Sequence, residues 1–356
     1  MSKAAELAAL IGSGQAQGNK NLIINGAMNV AQRGTVTSAV HDSFGGPDRY
    51  KISETGDTVF TMSQDSDTPT GEGFANSLKL DVTTADSSLA AGDFASVMYN
   101  FEGQNLQTLK KGTSSAKSVT LSFYIKSTIT GTYIVQLYDN DNNRQVSKSY
   151  TVSSADTWEK KTITFPADTT GAFDDDNALS LLIRWWFAAG STYTSGTLAT
   201  TWASSTAANT AVGQVNAVNS TSNNIFLTGI QLEIGDVATA FEHEDFGTTL
   251  AKCQRYFLLP YGLTDNHNYA LQGPVASQLF WAIPHPVKMR AEPAQTVYGG
   301  TSKSQSGKAY DGTNGDYETA ETTNFGHDGA YTMILHTAGG TGINYSFQRV
   351  ELDAEL

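Results

Sequence analysis

Three groups of residues in this chain have types and spacings that could do chemistry. The run "DNDNNRQ" sets Asp139, Asp141 and Asn143 at alternate positions, as in the first half of a calcium loop. Its sixth position is Arg144, where such a loop needs glycine, and its twelfth is Tyr150, where it needs a bidentate glutamate. A hairpin turn between Tyr138 and Val146 accounts for the same residues. Asp174, Asp175 and Asp176 form a second acidic loop, readable as a calcium ligand set or as a solvated turn. No cofactor is expected, with calcium at these loops left open.

Catalytic signatures are absent. "FEHEDF" carries His243 without the second histidine four residues on that a zinc helix needs. There is no G-x-S-x-G elbow and no G-x-x-x-x-G-K phosphate loop. A carboxylate pair for glycoside hydrolysis could be assembled from distant strands, but nothing in the spacing points to one. The chain reads as a non-enzyme.

The third group suits sugar binding, in which an aromatic platform lies under a pyranose while amide, carboxylate or guanidinium groups meet its hydroxyls. Candidates are Tyr124, Gln136, Tyr138, Arg184 and Trp186, all on the second faces of strands whose first faces carry Phe123, Leu137 and Trp185. If a loop or a subunit covers that second face, the same residues are structural. Trp202, in a stretch of small polar residues from Gly196 to Asn223, is either a sixth glycan contact or an interchain plug.

The elements that must position these groups are short strands. "SLKLDV", "SVTLSFYIKS", "GTYIVQLYD", "WEKKTITF" and "LSLLIRWWF" alternate apolar and polar residues with a period of two. "NLIINGAMNV" predicts a strand over Leu22–Ile24 and a turn at Asn25-Gly26. No helical pattern intervenes, so two packed antiparallel sheets are expected, as a jelly-roll β-sandwich. The Gly196–Asn223 stretch reads as an exposed excursion anchored by Trp202.

After Phe246, Leu250, Cys253 and Phe257 fall on one face of a short helix, and the turn-rich remainder predicts a smaller C-terminal β domain. "MSKAAELAALIGSG" predicts a short N-terminal helix, too short to be stable alone. Its Leu7, Leu10 and Ile11 would dock on another chain, as an anchor, or on another part of this one. The expected organisation is therefore an arm at 1–19, a sandwich at 20–245 and a β domain at 246–356.

Composition narrows the partners. The 356 residues hold 22 Lys and Arg against 35 Asp and Glu, a net charge of −13, which would repel nucleic acid. It also favours a neutral or zwitterionic glycan, or a protein receptor, over an acidic polysaccharide unless divalent cations bridge the two. No apolar run approaches the roughly 20 residues of a membrane span, so no membrane insertion is expected. The single cysteine, Cys253, excludes an intrachain disulfide framework.

"GIQLEIGDVATAFEHEDFGTTLAKCQRYF" (229–257) closely resembles a junction in virion proteins of tailed bacteriophages, above all tail-fibre and receptor-binding proteins. "NLIINGAMNVAQRGT", "PHPVKMRAEP" and the terminal "LDAEL" extend the resemblance over nearly all of the chain after residue 20. It implies a carbohydrate-binding-module-like jelly roll and a homotrimer, held to other virion proteins through the N-terminal arm. It also implies a tail fibre on the virion exterior that binds a host-surface glycan or receptor without turnover. A capsid or tail decoration or connector protein with no external ligand is the alternative. A polysaccharide depolymerase would more often show β-helix repeats, and none is present.

Overall fold

The computed structural model describes residues 20–39, 41–260, 269–270, 278–298, 306–311, 316–319, 321–327, 331–337, 345–347 and 349–356. The expected N-terminal helix, with Leu7, Leu10 and Ile11, lies outside the described residues. The chain divides into two compact units, Met1–Asp245 together with Leu356, and Phe246–Glu355.

The first unit is a β-sandwich of two six-stranded antiparallel sheets. One has the order β1 (Val36–Ala39), β3 (Val59–Asp65), β4 (Ser77–Thr84), β12 (Asn224–Ile234), β6 (Val119–Ser127) and β9 (Glu159–Phe165). The other has the order β11 (Ala203–Ser204), β8 (Arg144–Val152), β7 (Gly131–Asp139), β10 (Leu179–Ala189), β5 (Phe94–Glu102) and β2 (Tyr50–Thr55). Alternation along the strands drives one face of each sheet inward. Leu121, Phe123 and Ile125 of β6 meet Val135, Leu137, Ile183, Trp185 and Phe187 of β7 and β10 in a single buried core.

Two local expectations need correction. Leu22–Ile24 is not a strand, although the turn after it is present and Asn25 takes a positive φ there. Side chains intercept the backbone donors that a ladder would use: Ile23 N–H donates to Asn21 Oδ1 at 3.0 Å and Ile24 N–H to the Tyr99 hydroxyl at 2.8 Å. The Gly196–Asn223 excursion is laid along the second sheet rather than projecting from it. Ser147 N–H donates to Ala199 O, Ser205 N–H to Asn143 O and Val215 N–H to Thr132 O, all at 2.7–2.9 Å.

The "QLE" motif of β12 works as a polar latch. Glu233 is buried, and its carboxylate accepts from Thr239 N–H and Thr239 Oγ1, both at 2.8 Å, and from Gln231 Nε2 at 3.0 Å. Gln231 Oε1 in turn accepts from Glu242 N–H at 2.8 Å. These bonds fold the loop after Gly235 back over the strand that precedes it. Phe241 then packs edge-on to Phe74 and His243 beside the outer face of the sheet, with both ring centres at 4.9 Å.

In the second unit a helix spans Phe246–Gln254 and buries Cys253. Its described strands form three small antiparallel sheets. One of these joins Phe257–Leu258, Arg349–Asp353 and Ala294–Tyr298. No helix among the described residues is long and apolar enough to cross a membrane.

Candidate functional site

The second sheet turns its outer face toward the excursion, and the register of β10 decides what that face carries. With Ile183, Trp185 and Phe187 committed to the core, Leu182, Arg184 and Trp186 point outward. Arg184 is aligned with Met98 of β5 on one side and Gln136 of β7 on the other. Leu182 is aligned with Asn100 and Tyr138, and Tyr138 with Gln145 of β8. Four of the residues expected to bind sugar, Gln136, Tyr138, Arg184 and Trp186, are thereby brought into one patch.

The excursion crosses this patch and leaves a cleft of about 220 Å³. Gln136, Tyr138, Gln145, Leu182, Arg184 and Trp186 line it from the sheet, Ser205, Ala207 and Thr210 from the excursion, and Tyr193 from the short helix Ser191–Thr194 that precedes it. Trp186 is fully buried, so it is not an open platform. Its ring is tilted against Phe94 and Tyr193, with centres 5.6 and 5.2 Å away, and with Ile134 and Ala211 it forms a small second core. The half-buried rings on the cleft wall are Tyr138 and Tyr193.

A hydrogen-bond chain stiffens the floor. Trp186 Nε1 donates to Gln136 Oε1 at 3.3 Å, and Gln136 Nε2 to Gln145 Oε1 at 3.0 Å. Gln145 also accepts from Thr210 Oγ1 at 3.0 Å and donates to Thr206 O at 2.9 Å. Both glutamines are nearly inaccessible, so each needs these partners to offset its desolvation. The chain therefore fixes the excursion to the sheet as well as shaping the cleft.

Arg184 differs from its neighbours in having almost nothing to bond to. Its guanidinium lies over the rings of Phe94 and Trp186, at 5.3 and 5.1 Å from their centres, and Nη2 donates to Met98 Sδ at 3.2 Å. Nε is buried and meets no acceptor. Burial pushes the guanidinium pKa down, with Tyr193, Asp42 and Tyr138 opposing the shift, but arginine keeps its charge in proteins. No carboxylate lines the cleft among the described residues.

The remaining expected contacts lie elsewhere. Tyr124 is on β6, on the outer face of the opposite sheet. Its hydroxyl donates to Glu72 Oε2 at 2.6 Å, its ring is tilted against Phe74, and burial followed by Glu72 pushes its pKa up to about 12. Trp202 packs against the main core and donates from Nε1 to Pro166 O at 2.8 Å, outside the cleft lining.

The "DNDNNRQ" run is the hairpin turn between β7 and β8, with Asn143 at a positive φ. The acidic groups there are met by a lysine: Lys111 Nζ lies 2.5 Å from Asp139 Oδ2 and 3.1 Å from Asp168 Oδ2. Asp174 only touches this turn, donating from N–H to Asp141 Oδ2 at 3.0 Å. Among the described residues no group of three or more His, Cys, Asp or Glu side chains is placed to hold a metal ion.

Sequence reasoning missed Gln145, Tyr193, Ser205 and Thr210. Gln145 was within reach, since closing the hairpin between Tyr138 and Val146 sets it opposite Tyr138. The other three come from a segment with no periodicity to orient them.

No protein-family model matches the sequence, and no curated protein matches it. Among solved structures, the enzymatically active domain of bacteriophage CBA120 tailspike protein 4 aligns with a TM-score of 0.35 at 13% identity, over 60% of this chain and 21% of that one. The family 11 carbohydrate-binding module of the Clostridium thermocellum cellulase Lic26A-Cel5E aligns at 0.30 and 16% identity, over 60% of this chain and 98% of that one. The N-terminal cellulose-binding domain of Cellulomonas fimi β-1,4-glucanase C aligns at 0.26 and 15% identity, over 49% of this chain and 84% of that one.

Proposed function

We propose that this chain is a glycan-binding protein of a phage virion that holds a host-surface saccharide in the cleft between the second sheet and the excursion, without chemical turnover. The observation that carries the binding reading is the cleft lining itself. Half-buried Tyr138 and Tyr193 offer ring surface beside a guanidinium with unused donors, on a floor made rigid by the Gln136–Gln145 chain. Among the described residues the lining holds no carboxylate that could act as acid, base or nucleophile, and the cleft is therefore read as a binding site. The virion assignment is supported by the sequence resemblance at 229–257 and the three matching segments. A tail fibre, trimeric and attached through residues 1–19, is the form that this resemblance favours.

The binding reading is tested by titrating purified protein with a panel of neutral and acidic oligosaccharides. Single-site affinity in the millimolar range is expected, about −4 kcal/mol, and Tyr138→Ala and Tyr193→Ala should each weaken it several-fold with the fold intact. Saccharide binding that survives both changes would move the site elsewhere. Gold-labelled antibody on intact virions tests the location: label at the distal tail supports a fibre, and label over the capsid supports a decoration protein.

A further inference from the structure

We infer that the saccharide taken by this cleft carries a carboxylate, and that Arg184 is the residue that recognises it. The inference rests on the glycan-binding reading and adds the ligand's charge. Its basis is the mismatch between how the guanidinium is held and what it is given to bond. Two aromatic rings and a thioether fix its position, yet among the described residues no carboxylate bonds to it, Asp42 acting only at longer range, and buried Nε is left without an acceptor. Leaving a buried donor unsatisfied costs about 1–3 kcal/mol, more for a charged group. An arginine that served only to pack would be better replaced by an apolar side chain.

Nearby basic residues are treated differently. Lys51 lies in the same row across the sheet, paired with Met98 as Arg184 is, but has Asp42 at 3.8 Å. Arg144 makes a two-pronged pair with Asp168, at 2.8 and 3.0 Å. In a chain of net charge −13, carboxylates are plentiful, so a cation at the wall of a cleft with none bonded to it among the described residues marks where a ligand's anion would complete the pair. A carboxylate fits the planar fork of a guanidinium with two parallel bonds. Because the side chain is already held by Phe94, Trp186 and Met98, binding adds little ordering cost on the protein side. The expectation from net charge, which favoured uncharged glycans, is thus reversed locally, since screening confines distant surface charges to about 8 Å at physiological salt.

The test compares each acidic polymer with its own carboxyl-reduced form, in which the carboxylate becomes a hydroxymethyl group and the stereochemistry is kept. Fragments of polygalacturonate, alginate and hyaluronan, their reduced counterparts, and neutral gluco- and galacto-oligosaccharides are titrated against the full chain. At least one acidic fragment should bind about tenfold or more tightly than its reduced form, with the preference falling as salt rises. Arg184→Gln should abolish the preference, and Arg184→Lys should restore only part of it, with thermal melting confirming that both variants fold. Neutral fragments bound as tightly as acidic ones, or a preference unchanged in Arg184→Gln, would overturn the inference and leave the glycan-binding reading standing. No binding to any member of the panel would count against both.

Discussion

Replacing Lys111 with methionine should destabilise the sandwich by about 3 kcal/mol, and the structure says where that cost arises. Lys111 Nζ is surrounded by Asp139 Oδ2 at 2.5 Å, Gly171 O at 2.7 Å, Thr170 O at 2.9 Å and Asp168 Oδ2 at 3.1 Å. All three charged side chains are at most 5% exposed. Removing one partner of a buried ion pair costs about 3–5 kcal/mol because the other charge is left without compensation. Here Asp168 keeps the Arg144 fork and Thr170 N–H, so the burden falls on Asp139. Asp139 retains Asn142 N–H and Nδ2 at 3.0–3.2 Å, which puts the expected value at the low end. Methionine is the right probe because it preserves contact with the rings of Phe173 and Trp202, now 5.1 and 5.3 Å from the ammonium. Urea unfolding followed by tryptophan fluorescence reads the effect as a shift in midpoint at constant slope. Adding Asp139→Asn to the variant should recover at least about 2 kcal/mol, since the stranded charge is then gone. If Lys111→Met costs under about 1 kcal/mol, or Asp139→Asn costs as much in the variant as in the wild type, the ammonium is not what balances these carboxylates.

Shortening the same side chain should convert the ammonium cage into a metal site. Lys111→Ala leaves two carboxylates and two carbonyls converging on one point, so calcium should raise its melting temperature, by about 2–4 °C per kcal/mol of binding, and leave the wild type unmoved. Glu54 is buried with Oε1 accepting from His41 N–H at 3.0 Å and Oε2 unpartnered, and burial raises its pKa from 4.5. A raised folded value means that its contribution is present below about 4.5 and is lost as pH climbs through that folded value. Glu54→Gln should therefore flatten the stability profile between about pH 4.5 and that folded value, and an unchanged slope there would show that Glu54 does not control it. Gly229 sits in the bulge of β12 at φ +60°, where an added Cβ would fall 2.6 Å from Phe74 Cζ. Gly229→Ala should cost about 2 kcal/mol in the same urea assay.

Alternation along a strand announces which side chains share a face, and it separated Trp185 from Trp186 correctly. It does not say which sheet the strand joins. Tyr124 obeys the same alternation as Tyr138, yet β6 belongs to the first sheet and β7 to the second, so the two rings lie on opposite sides of the sandwich. The burial of Trp186 was not legible either, because its cover comes from Tyr193 and Leu198 in a run of Gly, Ala, Ser and Thr with no period to read. The turn at Asp139 could be read from local spacing. Its lysine partner, 28 residues away in sequence, could not.

The cleft is built from two sources that are held in place by different kinds of contact. Arg184, Gln136 and Tyr138 stand on central strands whose opposite faces carry the main core, so their positions are fixed by the same packing that stabilises the sandwich. Ser205 and Thr210 stand on the excursion and Tyr193 on the helix Ser191–Thr194 before it, attached through backbone hydrogen bonds and the glutamine chain. On the proposed reading, charge recognition belongs to the sheet wall and shape to the wall formed by the helix and the excursion. Exchanging residues of the excursion should alter which sugar fits while keeping the preference for a carboxylate, whereas changes at Arg184 should do the reverse. Excursion variants that lost the charge preference while still binding sugar would show that the two walls do not act separately.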